Sequence, residues 1–139
     1  MKLLISNGAS LDVKTLGGQS PLHCAVSKNI KEAAKILINS GAEVNERSFF
    51  HETPLHRAVK TNNYDLCLLL IQKGAFINAK DIDGKTPLHD SIALGYHDLT
   101  FLLLQYGASI NAKDLEETLT DRDMFGTKIL MKYFHMLNH

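Results

Sequence analysis

The hexapeptide GKTPLH, residues 84–89, is the third copy of a short sequence that sets the periodicity of the whole chain. HETPLH at 51–56 and GQSPLH at 18–23 precede it, so that Ser20, Thr53 and Thr86 are 33 positions apart. The dipeptide Gly-Ala begins at residues 8, 41, 74 and 107 and has the same spacing. Two independent motifs that recur with the same spacing of 33 residues indicate a repeat protein.

The third copy predicts a short helix followed by a tight turn. A threonine followed by proline, at 86–87, is typical of a helix start, because the hydroxyl caps a backbone amide and proline suits the first helical position. We therefore expect a first helix over 87–94. Gly95 follows it, and the equivalent positions hold Asn62 and Asn29, the residue type next best suited to a positive φ.

A second, antiparallel helix is expected over 97–106. Leu99, Leu102 and Leu103 lie at i, i+3 and i+4, which predicts one buried face, and Gly107 ends the helix. The equivalent leucines of the preceding repeat are Leu66, Leu69 and Leu70. Alternating segments follow each of the glycines that end the second helices, and the Asp-Gly at 83–84, before the third Ser/Thr-Pro pair, indicates a hairpin-like loop. One such unit cannot bury its leucines alone, so the units must stack.

In these motifs the sequence resembles the ankyrin repeat family over nearly its whole length. The resemblance implies an all-α repeat fold, an α-solenoid of helix-turn-helix units with projecting β-hairpin-like fingers. We expect a single domain over 1–139. It comprises a partial repeat at 1–14, full repeats at 15–47, 48–80 and 81–113, and a degenerate capping repeat at 114–139. The incomplete first repeat favours a fragment of a larger protein, although a partner could also cover that edge.

Composition excludes several classes of function. With 15 basic and 15 acidic residues, the chain lacks the charge excess that favours nucleic acid or an anionic membrane. Its longest apolar run, 66–71, is far shorter than the roughly 20 residues of a membrane span, and no signal peptide is evident. We expect a soluble protein of the cytoplasm, with the nucleus possible, whose Cys24 and Cys67 are reduced and buried.

The seven histidines do not predict a catalytic or metal centre. His23, His56 and His89 occupy one position of successive repeats, and stacked helices lie about 8–10 Å apart. Zinc holds each nitrogen at about 2.0–2.1 Å, so these histidines cannot share an ion, and local hydrogen bonding near the helix start is expected instead. Metalloprotease, Walker and dinucleotide motifs are absent from the sequence. We predict no enzyme, no cofactor and no small-molecule substrate.

The resemblance implies binding of a partner protein through the finger tips and the concave face of the first helices. The predicted finger residues are Leu16, Gln19, Phe49, Phe50, Glu52, Ile82, Asp83 and Lys85, flanked by Arg47 and Lys80. The predicted first-helix residues are Lys28, Lys60 and Leu94. Phe49 and Phe50 stand out, because aromatic side chains are favoured interface anchors, and we expect at least one of them to be exposed.

The preferred function is therefore a non-catalytic protein-interaction module or scaffold. Three alternatives remain open from the sequence. The chain could be the ankyrin portion of a larger regulator, such as a ubiquitin-ligase substrate adaptor or a channel cytoplasmic domain. It could be a compact inhibitor of a transcription factor or kinase. An enzyme that uses the histidines is the remaining alternative.

Overall fold

The computed structural model describes residues 15–110, which contain six helices in three antiparallel pairs and no strand. The helices are α1 (Pro21–Ser27), α2 (Lys31–Asn39), α3 (Pro54–Lys60), α4 (Tyr64–Gln72), α5 (Pro87–Leu94) and α6 (His97–Gln105). The predicted first helix of the third repeat is confirmed at both ends, and the second ends one residue earlier than expected. The partial repeat at 1–14 and the capping repeat at 114–139 lie outside the described residues.

Each first helix begins at the repeated Ser/Thr-Pro pair. Thr86 has an extended backbone, and its hydroxyl accepts a hydrogen bond from the backbone N–H of His89. Proline then occupies the first helical position, where the absence of an N–H costs nothing. Ser20 and Thr53 cap α1 and α3 in the same way, so the local chemistry of one tripeptide sets three helix starts.

The turn inside each pair requires a left-handed residue, as the sequence predicted. Asn29, Asn62 and Gly95 have φ of 58°, 55° and 75°. Asparagine tolerates this conformation better than most residues with a side chain. The turn reverses the chain within three residues and places the second helix against the first.

The core is a continuous layer of leucine, isoleucine, valine and alanine side chains between successive helix pairs. First helices pack on one another, α1 on α3 and α3 on α5, while α4 packs on α6. Leu55 of α3 and Leu70 of α4 have no exposed surface. Of the predicted leucines, Leu69 is only partly buried. Because the central pair packs against a pair on each side, the hydrophobic core exists only when the pairs are stacked.

A buried histidine connects the starts of α1 and α3 to the next repeat. The Nδ1 atom of His56 accepts a hydrogen bond from the Thr53 backbone N–H at 3.1 Å, so Nε2 carries the ring proton. Nε2 donates it to the backbone carbonyl of Lys85, 3.0 Å away in the third repeat. His23 makes the same connection to the carbonyl of Glu52 at 2.7 Å. The expected local hydrogen bond is confirmed, and the bond to the neighbouring repeat adds to it.

A second inter-repeat link joins the loops that follow the second helices. The Asn45 side-chain amide donates to the Gly74 carbonyl at 3.1 Å, and its oxygen accepts from the Phe76 N–H at 2.7 Å. Asn78 repeats the pair with Gly107 and Ser109. One asparagine thus satisfies a donor and an acceptor of the next repeat.

Substitution of Asn45 tests this link. Asn45→Ala removes both hydrogen bonds, so we expect the free energy of unfolding to fall by about 1–2 kcal/mol. Asn39→Ala, at the exposed end of α2, is the matched control and should change it by less than about 0.5 kcal/mol. Urea denaturation followed by circular dichroism measures both. Equal effects of the two substitutions would contradict the assignment.

Candidate functional site

Four large apolar side chains project from the three fingers. Leu16, Phe49 and Ile82 occupy the same position of consecutive fingers, and Phe50 follows Phe49. Their side chains are 58–101% exposed, Phe49 at 65% and Phe50 at 61%. The expectation that at least one phenylalanine is exposed is confirmed for both. We refer to these four residues as the finger ridge.

Backbone hydrogen bonds hold each finger in a tight hairpin turn. In the second finger, the Ser48 N–H donates to the Glu52 carbonyl and the His51 N–H donates to the Ser48 carbonyl, both at 2.9 Å. His51 has a φ of 61°, which the turn requires and which histidine adopts more readily than most non-glycine residues. The loop therefore has a defined shape although it forms no strand.

The fingers are also joined to one another. The Phe49 N–H donates to the Gly17 carbonyl at 3.0 Å, and the Ile82 N–H donates to the Phe50 carbonyl at 2.9 Å. The Phe49 ring lies against Gly18, where an added Cβ would be 2.4 Å from the ring carbon Cδ1. The ridge is therefore positioned by its own backbone and by ring packing, not by independent loops.

Glu52 is buried, so its predicted place among the finger-tip residues that face a partner is wrong. Its residue exposure is 8%. One carboxylate oxygen lies 3.7 Å from Arg57 Nη1, and the other forms an ion pair with Lys60 Nζ. The two cations offset part of the cost of burying this carboxylate. The ion pair also occupies Lys60, which is half-buried.

The other predicted site residues form two groups. Lys80, Asp83 and Lys85 are exposed on or beside the third finger, and Gln19 is half-buried in the first. Arg47 is exposed, and its guanidinium donates to the Lys80 carbonyl. Lys28 and Leu94 are exposed at the C-terminal ends of α1 and α5, one helix length from the fingers. These two residues do not join the ridge.

One cluster has the residue types of a metal site. Ligand atoms of His56, Asp81 and Asp90 all lie within 4.8 Å of one another. However, His56 Nε2 donates to the Lys85 carbonyl, and Asp81 Oδ1 accepts from the N–H groups of Asp83 and Lys85 at 2.9 Å. With the imidazole lone pair on Nδ1 also engaged, His56 has no free ligand atom, so the cluster does not fit a metal ion.

Asp90 is the unusual member of this cluster. Its Oδ2 atom is buried and has no hydrogen-bond partner among residues 15–110. Burial raises the pKa of the Asp90 carboxyl to about 6, with Lys60 opposing the shift. Ionisation of Asp90 is therefore less favourable in the folded state than in the unfolded state.

The Cys67 thiol is not a reactive group. Cys67 is buried and free, and burial raises its pKa to about 12. Cys24 is free and half-buried, so the expectation of buried thiols holds for Cys67 only. A thiol that stays protonated is a poor nucleophile.

Two grooves on the outer face of the second helices were not anticipated from the sequence. One lies between α2 and α4, the other between α4 and α6. The sequence of α6 contains a pattern that could have indicated the second groove: Asp98, Phe101 and Gln105 lie on one side of the helix at i, i+3 and i+7. The expectations for these helices concerned only their buried leucines.

The fold and the projecting fingers define the class as a repeat protein of stacked helix pairs. A family model described as ankyrin repeats, in three copies, matches residues 1–81 and 50–114. The chain therefore belongs to the ankyrin repeat family, whose repeats are generally protein–protein interaction modules and typically not catalytic. The comparison with curated proteins finds no match. Among residues 15–110, no helix is long and apolar enough to span a bilayer.

Substitution of Asp90 tests the cost of its buried charge. The folded pKa of about 6 exceeds the unfolded value of 3.8, so the free energy of unfolding falls as the pH rises between these two values. Asp90→Asn should raise the free energy of unfolding by about 1–2 kcal/mol at pH 7, and by much less at pH 4. Urea denaturation at both pH values measures this. Destabilisation at pH 7 would contradict the account.

The buried histidines predict a loss of stability on acidification. Burial lowers the pKa of His23 and His56 below 6.5, although their carbonyl partners oppose the shift. As the pH falls through 6.5 the unfolded histidines take up protons first, so the free energy of unfolding decreases with acidification. The Asp90→Asn background removes the carboxyl that titrates in the opposite direction. In the Asp90→Asn variant, His56→Gln should make the free energy of unfolding change less between pH 7.5 and 5.5. An unchanged slope would show that the buried His56 does not cause the loss of stability.

Proposed function

We propose that the finger ridge binds a partner protein and that the chain functions through this binding and not through catalysis. The observation that carries the proposal is the exposure of four large apolar side chains on adjacent, mutually hydrogen-bonded fingers. Burial of an aromatic side chain removes about 150–250 Å² from water, and aromatic residues are frequent anchors of interfaces.

The geometry of the ridge supports binding in a second way. Because Phe49 is seated on Gly18 and the fingers share backbone hydrogen bonds, little conformational entropy is lost when a partner docks. Three consecutive fingers and their first helices are also large enough for a standard interface of about 800 Å² per partner. The exposed cations Lys80 and Lys85 border this surface. They supply polar contacts around its apolar centre.

Alanine substitution of the two phenylalanines tests the proposal. A partner captured from an extract of the source cells by the wild-type chain, and identified by mass spectrometry, should bind Phe49→Ala and Phe50→Ala each at least about fivefold more weakly, corresponding to 1 kcal/mol. Calorimetry with the purified partner measures this affinity.

Phe76→Ala provides the matched control. Phe76 is exposed to a similar extent, 67%, but lies after α4 in the loop that Asn45 holds. The Phe76→Ala variant should bind the partner with the affinity of the wild-type chain. If the folded Phe49→Ala/Phe50→Ala double variant keeps its affinity, or if Phe76→Ala loses as much, the ridge is not the binding surface.

A further inference from the structure

The two outer grooves have opposite chemical character. The groove between α2 and α4, of about 180 Å³, is lined by Lys35, Ile38, Asn39, Leu69 and Lys73, and we call it the lysine groove. The groove between α4 and α6, of about 430 Å³, is lined by Tyr64, Asp98, Phe101, Leu102 and Gln105, and we call it the aromatic groove. Neither includes a finger-ridge residue, so binding in either groove is independent of the proposed function.

The aromatic groove combines two rings with one carboxylate. Leu102 is buried and forms part of the floor, Phe101 is half-buried and packs against the core, and Tyr64 is 44% exposed. Asp98 and Gln105 are exposed on the α6 side, one at each end of the stripe. An aromatic face attracts a cation through its quadrupole, and a nearby carboxylate adds a direct charge interaction.

The charges on α4 and α6 also favour a cation in this groove. Neither α4 nor α6 contains a lysine or arginine, and their acidic residues are Asp65 and Asp98. Asp65 lies 3.8 Å from Lys31, whereas no ion pair of Asp98 is present within the described part of the chain. His97 is the other titratable side chain of α6. A cation in this groove therefore meets a carboxylate that has no ionic partner among residues 15–110, in a groove that two aromatic rings also line.

We infer that the aromatic groove binds the cationic side chain of an arginine or lysine from a second protein. Arginine fits better, because its planar guanidinium stacks on a ring while its N–H groups reach a carboxylate. In this arrangement the guanidinium lies over the exposed Tyr64 ring, beside Phe101, and Asp98 accepts its hydrogen bonds. The lysine groove has the opposite charge and excludes such a side chain.

A titration with an arginine probe and its neutral isostere tests the inference. N-acetyl-arginine-amide added to the isotopically labelled full chain should shift the NMR signals of Tyr64, Asp98, Phe101 and Gln105 in a saturable way. N-acetyl-citrulline-amide has nearly the same shape without the charge. It should bind at least about threefold more weakly, the ratio expected for a cation–π contact and an exposed ion pair.

Substitutions then locate the site. Tyr64→Ala and Asp98→Asn should each weaken arginine binding at least about twofold, while Lys35→Ala in the lysine groove should not weaken it. Thermal unfolding of each variant checks that the fold is intact. Absence of saturable shifts, equal affinity for citrulline, or shifts centred on Lys35 and Lys73 would each overturn the inference.

Discussion

The structure depends on the burial of apolar surface between successive helix pairs. A helix of seven to nine residues is too short to be stable alone, and a single pair leaves both of its leucine-bearing sides in water. Leu55 and Leu70 of the central repeat are fully buried because a helix pair lies on each side of them. The buried imidazoles of His23 and His56 reinforce these interfaces, since each binds its own helix start and a carbonyl of the next finger.

This arrangement separates the residues that stabilise the fold from those left available for contact. The Ser/Thr-Pro-Leu-His motif serves helix capping and inter-repeat hydrogen bonding, so the ring nitrogens of His23 and His56 are engaged within the fold. The finger ridge lies on the loops, whereas the aromatic groove lies on the second helices with the core residue Leu102 in its floor. The shapes of both surfaces depend on the stacking, because the fingers are joined to one another and the groove is formed only where α4 meets α6.

Much of this fold could be predicted from the sequence, because its determinants are local and occur three times. Thr86 and Pro87 set a helix start, and Asn29 and Asn62 in the place of Gly95 indicate the left-handed turn. The errors concern contacts between side chains, which the repeat pattern does not encode. Glu52 was expected at a finger tip, but Arg57 and Lys60 from the following helix draw its carboxylate inward. The aromatic groove went unnoticed because Tyr64 and Phe101 belong to different repeats and meet only in the stack.

Native-state hydrogen exchange of the Leu55→Ala variant tests most directly whether the repeats stabilise one another. Leu55 is fully buried in the central helix α3, so its truncation leaves a cavity that costs roughly 2–5 kcal/mol. If stability is shared across the interfaces, amide protection must fall in the flanking helices α1 and α5 as well as in α3. Loss of protection confined to residues 48–80, with α1 and α5 unchanged, would contradict the account.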